Sequence, residues 1–190
     1  MKKILTDVDG VLLNWRKQFF TWMDNEGYTV VRPKSHSIAR TFDLDRVTEL
    51  EQVKDFNESV WISHLEALDN AVDGVKKLTK AGYTIDVCSA IGDQEFIHET
   101  RTRHLGYTFG KKTFEKFAYV GLDKPKTSFF EEYRDSGCYW VEDLPKNALA
   151  GLEYGLRPLL VSHDYNEWFE HPEIKRVKDW MEISEVILNE

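Results

Sequence analysis

Short apolar runs alternate with helical patterns along most of this 190-residue chain, and that alternation restricts the fold more than any other feature. Lys3-Ile4-Leu5-Thr6 reads as a first strand, Tyr83 to Cys88 as a second and Phe117 to Val120 as a third. Cys138 to Val141 makes a fourth and Pro158 to Ser162 a fifth. Between them the pattern predicts helices over about Val72 to Lys80, from Gly92-Asp93 to about His104, from Thr127 or Ser128 to Arg134, and from Asn147 to Tyr154. Five strands separated by helices imply an α/β, doubly wound parallel sheet with right-handed crossovers.

The first interval breaks this rhythm. Asn14 is placed to cap a helix to about Asn25, with Trp15, Phe19, Trp22 and Met23 at helical spacing and Gly27 just beyond. Tyr28 to Thr41 is polar, contains Pro33 and shows no period. Two more helical patterns follow, near Asp45 to Phe56 and Glu58 to Leu68. The expected division is therefore a core of residues 1–14 and 69–190 with a helical insert, 15–68, over one end of the sheet.

Open parallel sheets bind ligands beyond the carboxyl ends of their strands. The first strand delivers Asp7 and Asp9 there, the second Ser89, and the fourth Glu142 and Asp143, while Lys124 and Lys126 follow the third. Acids, a hydroxyl and a lysine suit a hard cation beside a phosphoryl group. Each piece alone has an ordinary explanation: Asp-Gly is a turn, a serine after a strand is a cap, and most lysines are solvated. A calcium loop fails, because placing Gly10 at its sixth position puts Arg16 where the closing acid belongs. The acidic pair behind the buried run Tyr139-Trp140-Val141 is harder to dismiss. Its conjunction with Asp7 and Asp9 is the signal.

Rival chemistries find no support. The six histidines make no HExxH and no zinc spacing with the cysteines, and GxGxxG, GxxxxGK[ST] and GxSxG are all missing. Lys and Arg number 25 against 33 Asp and Glu, a formal net charge of −8, which disfavours a polynucleotide partner while leaving a local basic pocket open. Cys88 and Cys138 sit in apolar runs and read as buried free thiols. The apolar run at the start stops at Thr6-Asp7, short of the roughly 7–15 residues of a secretory signal or the roughly 20 of a membrane helix. The expectation is a cytoplasmic protein without a membrane partner.

At these residues the sequence resembles the haloacid dehalogenase superfamily of phosphohydrolases. Ile4-Leu5-Thr6-Asp7-Val8-Asp9-Gly10-Val11-Leu12 matches its first motif, Val87-Cys88-Ser89 its second, Lys124-Pro125 (with Lys126 competing) its third, and Trp140-Val141-Glu142-Asp143 its fourth. Asp9 to Leu12 running into aromatics, Glu142 to Asn147, Asp164-Tyr165-Asn166 and Val177-Lys178-Asp179-Trp180 are similar to the 5'(3')-deoxyribonucleotidase-like branch. The resemblance implies a Rossmann-like core, a cap inserted after the first motif, and Mg²⁺-dependent hydrolysis of a small phosphorylated substrate, a nucleoside monophosphate in the nucleotidase-like branch. Asp7 is then the nucleophile and Asp9 the acid and base. Ser89 and Lys124 serve the phosphoryl group, and Asp7, the Asp9 carbonyl, Asp143 and Glu142 hold the metal. Gly10, Ser89 and Ala90 would line the phosphate pocket, with Trp15 and Phe19 offering rings on which a base stacks. A sugar phosphatase, a polynucleotide 3'-phosphatase and a phosphate-binding module without turnover remain open alternatives.

Overall fold

The computed structural model of the chain describes residues 2–122 and 124–189. Its strands are β1 (Lys3–Thr6), β2 (Thr84–Ala90), β3 (Phe114–Val120), β4 (Tyr139–Glu142), β5 (Arg157–Val161) and β6 (Lys175–Val177). They form one sheet in the order β3-β2-β1-β4-β5-β6, every neighbouring pair parallel. Six strands replace the expected five. The extra one, Lys175-Arg176-Val177, is three residues long and mostly charged, so no apolar run betrays it; pairing with β5 makes it a strand.

The helices are α1 (Trp15–Asn25), α2 (Ile38–Phe42), α3 (Arg46–Glu58), α4 (Ala71–Lys80), α5 (Glu95–Phe109), α6 (Thr127–Glu131), α7 (Pro145–Glu153) and α8 (Trp180–Leu188). Local chemistry starts several of them. Asn14 accepts from the Lys17 amide at α1, Asp45 from Val47 and Thr48 at α3, and Asp179 from Glu182 at α8. The helix expected from Glu58 to Leu68 is instead a 3₁₀ turn, Val60–His64. Ser59 stops α3 in an extended conformation, and its hydroxyl accepts from the Trp61 amide, which restarts the chain in a new direction. Ser37 likewise caps the short α2 inside the stretch that shows no period.

Burial follows the two-residue period of the strands. Ile4, Tyr139 and Val141 face one core with α4, α8 and the aromatic residues of α1 and α3. Leu5, Cys88, Cys138 and Trp140 face the other, with Phe129 and Phe130 of α6. Both cysteines are free and buried. Trp180, fully buried at the start of α8, donates its indole N–H to the Val11 carbonyl at 2.8 Å and so pins the loop that leaves β1. No helix among the described residues is long and apolar enough to cross a membrane.

Candidate active site

Strand order reverses about β1: β2 pairs on one side and β4 on the other. Crevices at such points are where doubly wound sheets bind ligands. Thr6 stands opposite Val141, and the Asp7 amide donates to the Val141 carbonyl at 2.9 Å. Asp7 is thereby placed beside Glu142 and Asp143, although more than 130 residues of chain lie between them.

One carboxylate oxygen from each of Asp7, Glu142 and Asp143 lies within 4.8 Å of the others, and all three side chains are buried. The cation facing them is Lys126. Its ammonium is 2.6 Å from Asp7 Oδ2 and 3.1 Å from Glu142 Oε2, with the Trp140 ring 5.0 Å away. Burial raises the Asp7 pKa to about 8 against the opposing pull of Lys126; burial also lifts Glu142 to about 7 and Asp143 to about 6. For Lys126, burial disfavours the charge, but Asp7 and Glu142 outweigh it and the net shift is upward.

The three acids are not equivalent. Glu142 is committed on both oxygens, Oε1 to the amides of Asp143 and Leu144 and Oε2 to Lys126. Asp7 accepts from the Val8 amide at 2.7 Å and from Lys126. Asp143 takes the Tyr165 hydroxyl on Oδ2 at 2.5 Å, while its buried Oδ1 has no hydrogen-bond partner among the described residues. A buried, unpartnered carboxylate oxygen beside two further acids fits a hard divalent cation, whose preferred donors are all oxygen.

Lys124, the expected phosphate lysine, is exposed, and the structure puts Lys126 against the acids instead. The Lys124 amide closes a turn onto the Gly121 carbonyl and the residue is exposed, whereas Lys126, just before α6, is buried with its ammonium against Asp7 and Glu142. Asp123, between them and Gly121, lies outside the described residues.

Asp9 projects towards the same cavity but stands apart from the three-acid cluster. Arg101 of α5 grips its carboxylate, Nη1 to Oδ1 at 2.6 Å and Nη2 to Oδ2 at 3.3 Å, and the buried Ser89 hydroxyl lies 3.4 Å from Oδ2. Gly10 has a φ of +79°, and a Cβ there would sit 2.4 Å from Asp143 Oδ2 and 3.0 Å from the Tyr165 hydroxyl. Glycine is needed at this position for the Asp143–Tyr165 contact as well as for the turn.

A cavity of about 290 Å³ opens over these groups. Asp7, Asp9, Gly10, Ser89, Ala90, Lys126 and Asp143 line its floor; Trp15, Ile38, Leu50, Val53 and Asn57 line the wall opposite. Trp15 stacks on Phe19 (ring centroids 4.5 Å apart) and donates its indole N–H to Asn57 at 2.9 Å. Phe19 itself does not reach the cavity. It is fully buried among Trp15, Trp22, Phe42 and Phe56, because one helical turn carries it from the edge of the wall into its packed interior.

No family model and no curated protein matches the sequence. Solved structures do. A haloacid dehalogenase-like hydrolase from Streptococcus pneumoniae superposes with a TM-score of 0.68 at 13% identity, over 98% of each chain. A haloacid dehalogenase family hydrolase from Deinococcus radiodurans, with bound phosphate and sodium, reaches 0.63 at 18% identity over 100% of this chain and 96% of that one. A D,D-heptose 1,7-bisphosphate phosphatase from B. bronchiseptica, complexed with magnesium and phosphate, reaches 0.61 at 16% identity over 100% and 99%. The fold is that of the haloacid dehalogenase-like hydrolases.

Two residues of this site escape the sequence reading of strand ends. Arg101 occupies the apolar stripe of α5 between Ile97 and Leu105, and a charge at a core position is the signal that points to it. Tyr165 belongs to a 3₁₀ turn after β5, where its ring stacks on His163 (4.8 Å) and under the Arg16 guanidinium (4.9 Å). Nothing in its spacing announces a contact with Asp143.

Proposed function

We propose that this chain is a metal-dependent phosphomonoesterase that works through an aspartyl-phosphate on Asp7 and takes a nucleoside monophosphate as substrate. The observation that carries the reading is the floor of the cavity: buried Asp7 paired to Lys126, Asp143 Oδ1 open beside it, and Asp9 projecting into the same space. Phosphate and a cation bound together in two structures of the same fold support it.

Asp7 attacks phosphorus through a carboxylate oxygen, and the ester oxygen leaves with a proton from Asp9. Asp9 then takes a proton from the water that opens the aspartyl-phosphate, which regenerates both acids. Ser89 donates to a phosphoryl oxygen, and Lys126 offsets charge on the transferring group. Asp7, Asp143 through Oδ1 and the Asp9 carbonyl would hold Mg²⁺; Glu142 anchors Lys126 and shapes the loop. The chemistry supplied by a bound Mg²⁺ is Lewis-acid polarisation of a phosphoryl oxygen. Burial holds Asp7 near 8 even with Lys126 alongside, so the further positive charge of a bound cation would favour its ionised form at neutral pH.

Residues 15–68 act as the cap, since the cavity runs between the strand ends and α1, α3 and the loop before α2. Trp15 presents its indole to that space and favours a base over a bare sugar; base–aromatic stacking is worth about 1–3 kcal/mol. The test is kcat/KM for nucleoside monophosphates against ribose 5-phosphate, in wild type and Trp15→Ala, with Mg²⁺ and with chelator. Nucleotides should be preferred, Trp15→Ala should narrow the preference, and chelator or Asp7→Asn should abolish turnover. Equal rates on ribose 5-phosphate discard the nucleotide, while turnover surviving Asp7→Asn discards the aspartyl-phosphate.

A further inference from the structure

Arg101 is fully buried, and among the described residues its guanidinium hydrogen-bonds to nothing except Asp9. Its Nε–H has no partner among the described residues. The residues one turn before and after it on α5, Ile97 and Leu105, are buried apolar side chains, so the helix keeps a charge where its packing calls for a hydrocarbon. Burying a guanidinium is costly, and a buried ion pair can usually be replaced by well-packed apolar groups at no loss of stability. A purely structural tie between α5 and the loop after β1 therefore explains the residue poorly. What a two-pronged guanidinium supplies, and a hydrocarbon cannot, is direction: both carboxylate oxygens are held at once, which sets the rotation of the side chain as well as its place.

We propose that Arg101 is a positioning residue that acts through Asp9, locking the acid–base carboxylate in one orientation at the cavity floor. The inference rests on the phosphomonoesterase reading. Arg101 touches no substrate atom; it holds the Asp9 carboxylate, and its contribution lies in the geometry of the two proton transfers. Asp9 is partly open to the cavity, with a side chain 22% exposed, so without Arg101 it would be solvated and free to rotate.

The experiment compares Arg101→Met, Arg101→Lys, Asp9→Asn and the double variant Asp9→Asn/Arg101→Met on p-nitrophenyl phosphate and on an alkyl phosphate, alongside thermal unfolding. Arg101→Met should slow the alkyl ester on the order of 10²-fold, the usual result of misplacing a reacting group by about 1 Å. The nitrophenyl ester should lose less, because its leaving group needs little help from Asp9. Adding Arg101→Met to Asp9→Asn should cost no further activity, and that double variant should melt at or above the wild-type temperature. Arg101→Lys keeps the charge without the two-pronged grip and should recover only part of the rate. Equal losses on both esters, or a full additional loss in the Asp9→Asn background, make Arg101 a structural residue and overturn the proposal; so does full activity in Arg101→Met. If Arg101→Met fails to fold, Arg101→Lys and the double variant decide on the same criteria. An inactive wild-type protein removes the phosphomonoesterase reading first and this one with it, an outcome distinct from an active wild type indifferent to Arg101.

Discussion

Lys124 and Lys126 flank Pro125 and have the same chemistry, yet one is solvated and the other is clamped between Asp7 and Glu142. Removing a partner from a buried ion pair costs about 3–5 kcal/mol, so Lys126→Met should lower stability by that order and abolish turnover, while Lys124→Met changes neither. Denaturant unfolding and steady-state kinetics on the two variants check this. Tyr165 presents a second contrast. Its hydroxyl occupies Asp143 Oδ2 and leaves Oδ1 open, so under the proposed reading it would orient a metal ligand without touching the cation. Loss of such an outer partner weakens metal affinity roughly 10–100-fold, so Tyr165→Phe should do so by calorimetric titration with Mg²⁺ or Mn²⁺ while its melting temperature without metal changes little. Asp7, Asp9, Ser89, Glu142 and Asp143 were all legible as candidates because each ends a strand. Lys126 was legible only as one of a pair, since a single residue, Pro125, separates the exposed lysine from the buried one. Arg101 showed only as a charge on the apolar stripe of a helix and Tyr165 not at all, because neither ends a strand and packing alone brings them to Asp9 and Asp143.

On the proposed reading, the element that most limits substrate choice is α1. Its residues Trp15 and Phe19 are one turn apart and share a face, and no property of the helix alone says which of them is the wall and which is the filling. α3 decides it: Phe56 sets its ring edge-on to both, at 5.4 and 5.3 Å, and closes over Phe19. Phe19→Ala should accordingly destabilise the protein by about 3–5 kcal/mol, measured by denaturant unfolding, because it opens a cavity among four rings. Any effect on substrate preference should follow that loss of order, whereas Trp15→Ala should alter the preference with a smaller loss of stability. Elements with a side-chain cap, such as α1 and α3, or with a strong apolar period, such as α4, emerge where the sequence puts them. The 3₁₀ turn Val60–His64, the short α2 and the strand β6 do not, since each is made by a single side-chain cap or by pairing with a distant strand.

Across the whole molecule, three carboxylates are gathered around one ammonium, and their protonation is tied to folding. Asp7, Glu142 and Asp143 sit at about 8, 7 and 6 against ordinary values of 3.8, 4.5 and 3.8. Between about pH 4 and 8 the folded state therefore keeps protons that the unfolded chain has released. Stability from these groups falls as pH rises through that window. Lys126 is shifted upward from 10.5 and stays charged throughout, so it does not reverse the trend. The capping acids Asp45 and Asp179, held below 3.8 chiefly by backbone hydrogen bonds, act in the opposite sense at lower pH. Comparing melting temperatures with and without Mg²⁺ isolates the site: the cation should raise the melting temperature more at pH 8 than at pH 5, and an equal rise at both would refute the coupling. The sequence by itself determined the strand-and-helix alternation, the parallel sheet and the placing of acids at strand ends, because apolar period, caps and turn residues act over a few neighbours. Tertiary structure alone decided which lysine meets Asp7, which aromatic ring faces the cavity, which oxygen of Asp143 is left open and that Arg101 holds Asp9. Each of those depends on side chains brought together by strand order and helix packing, and no local interaction encodes them.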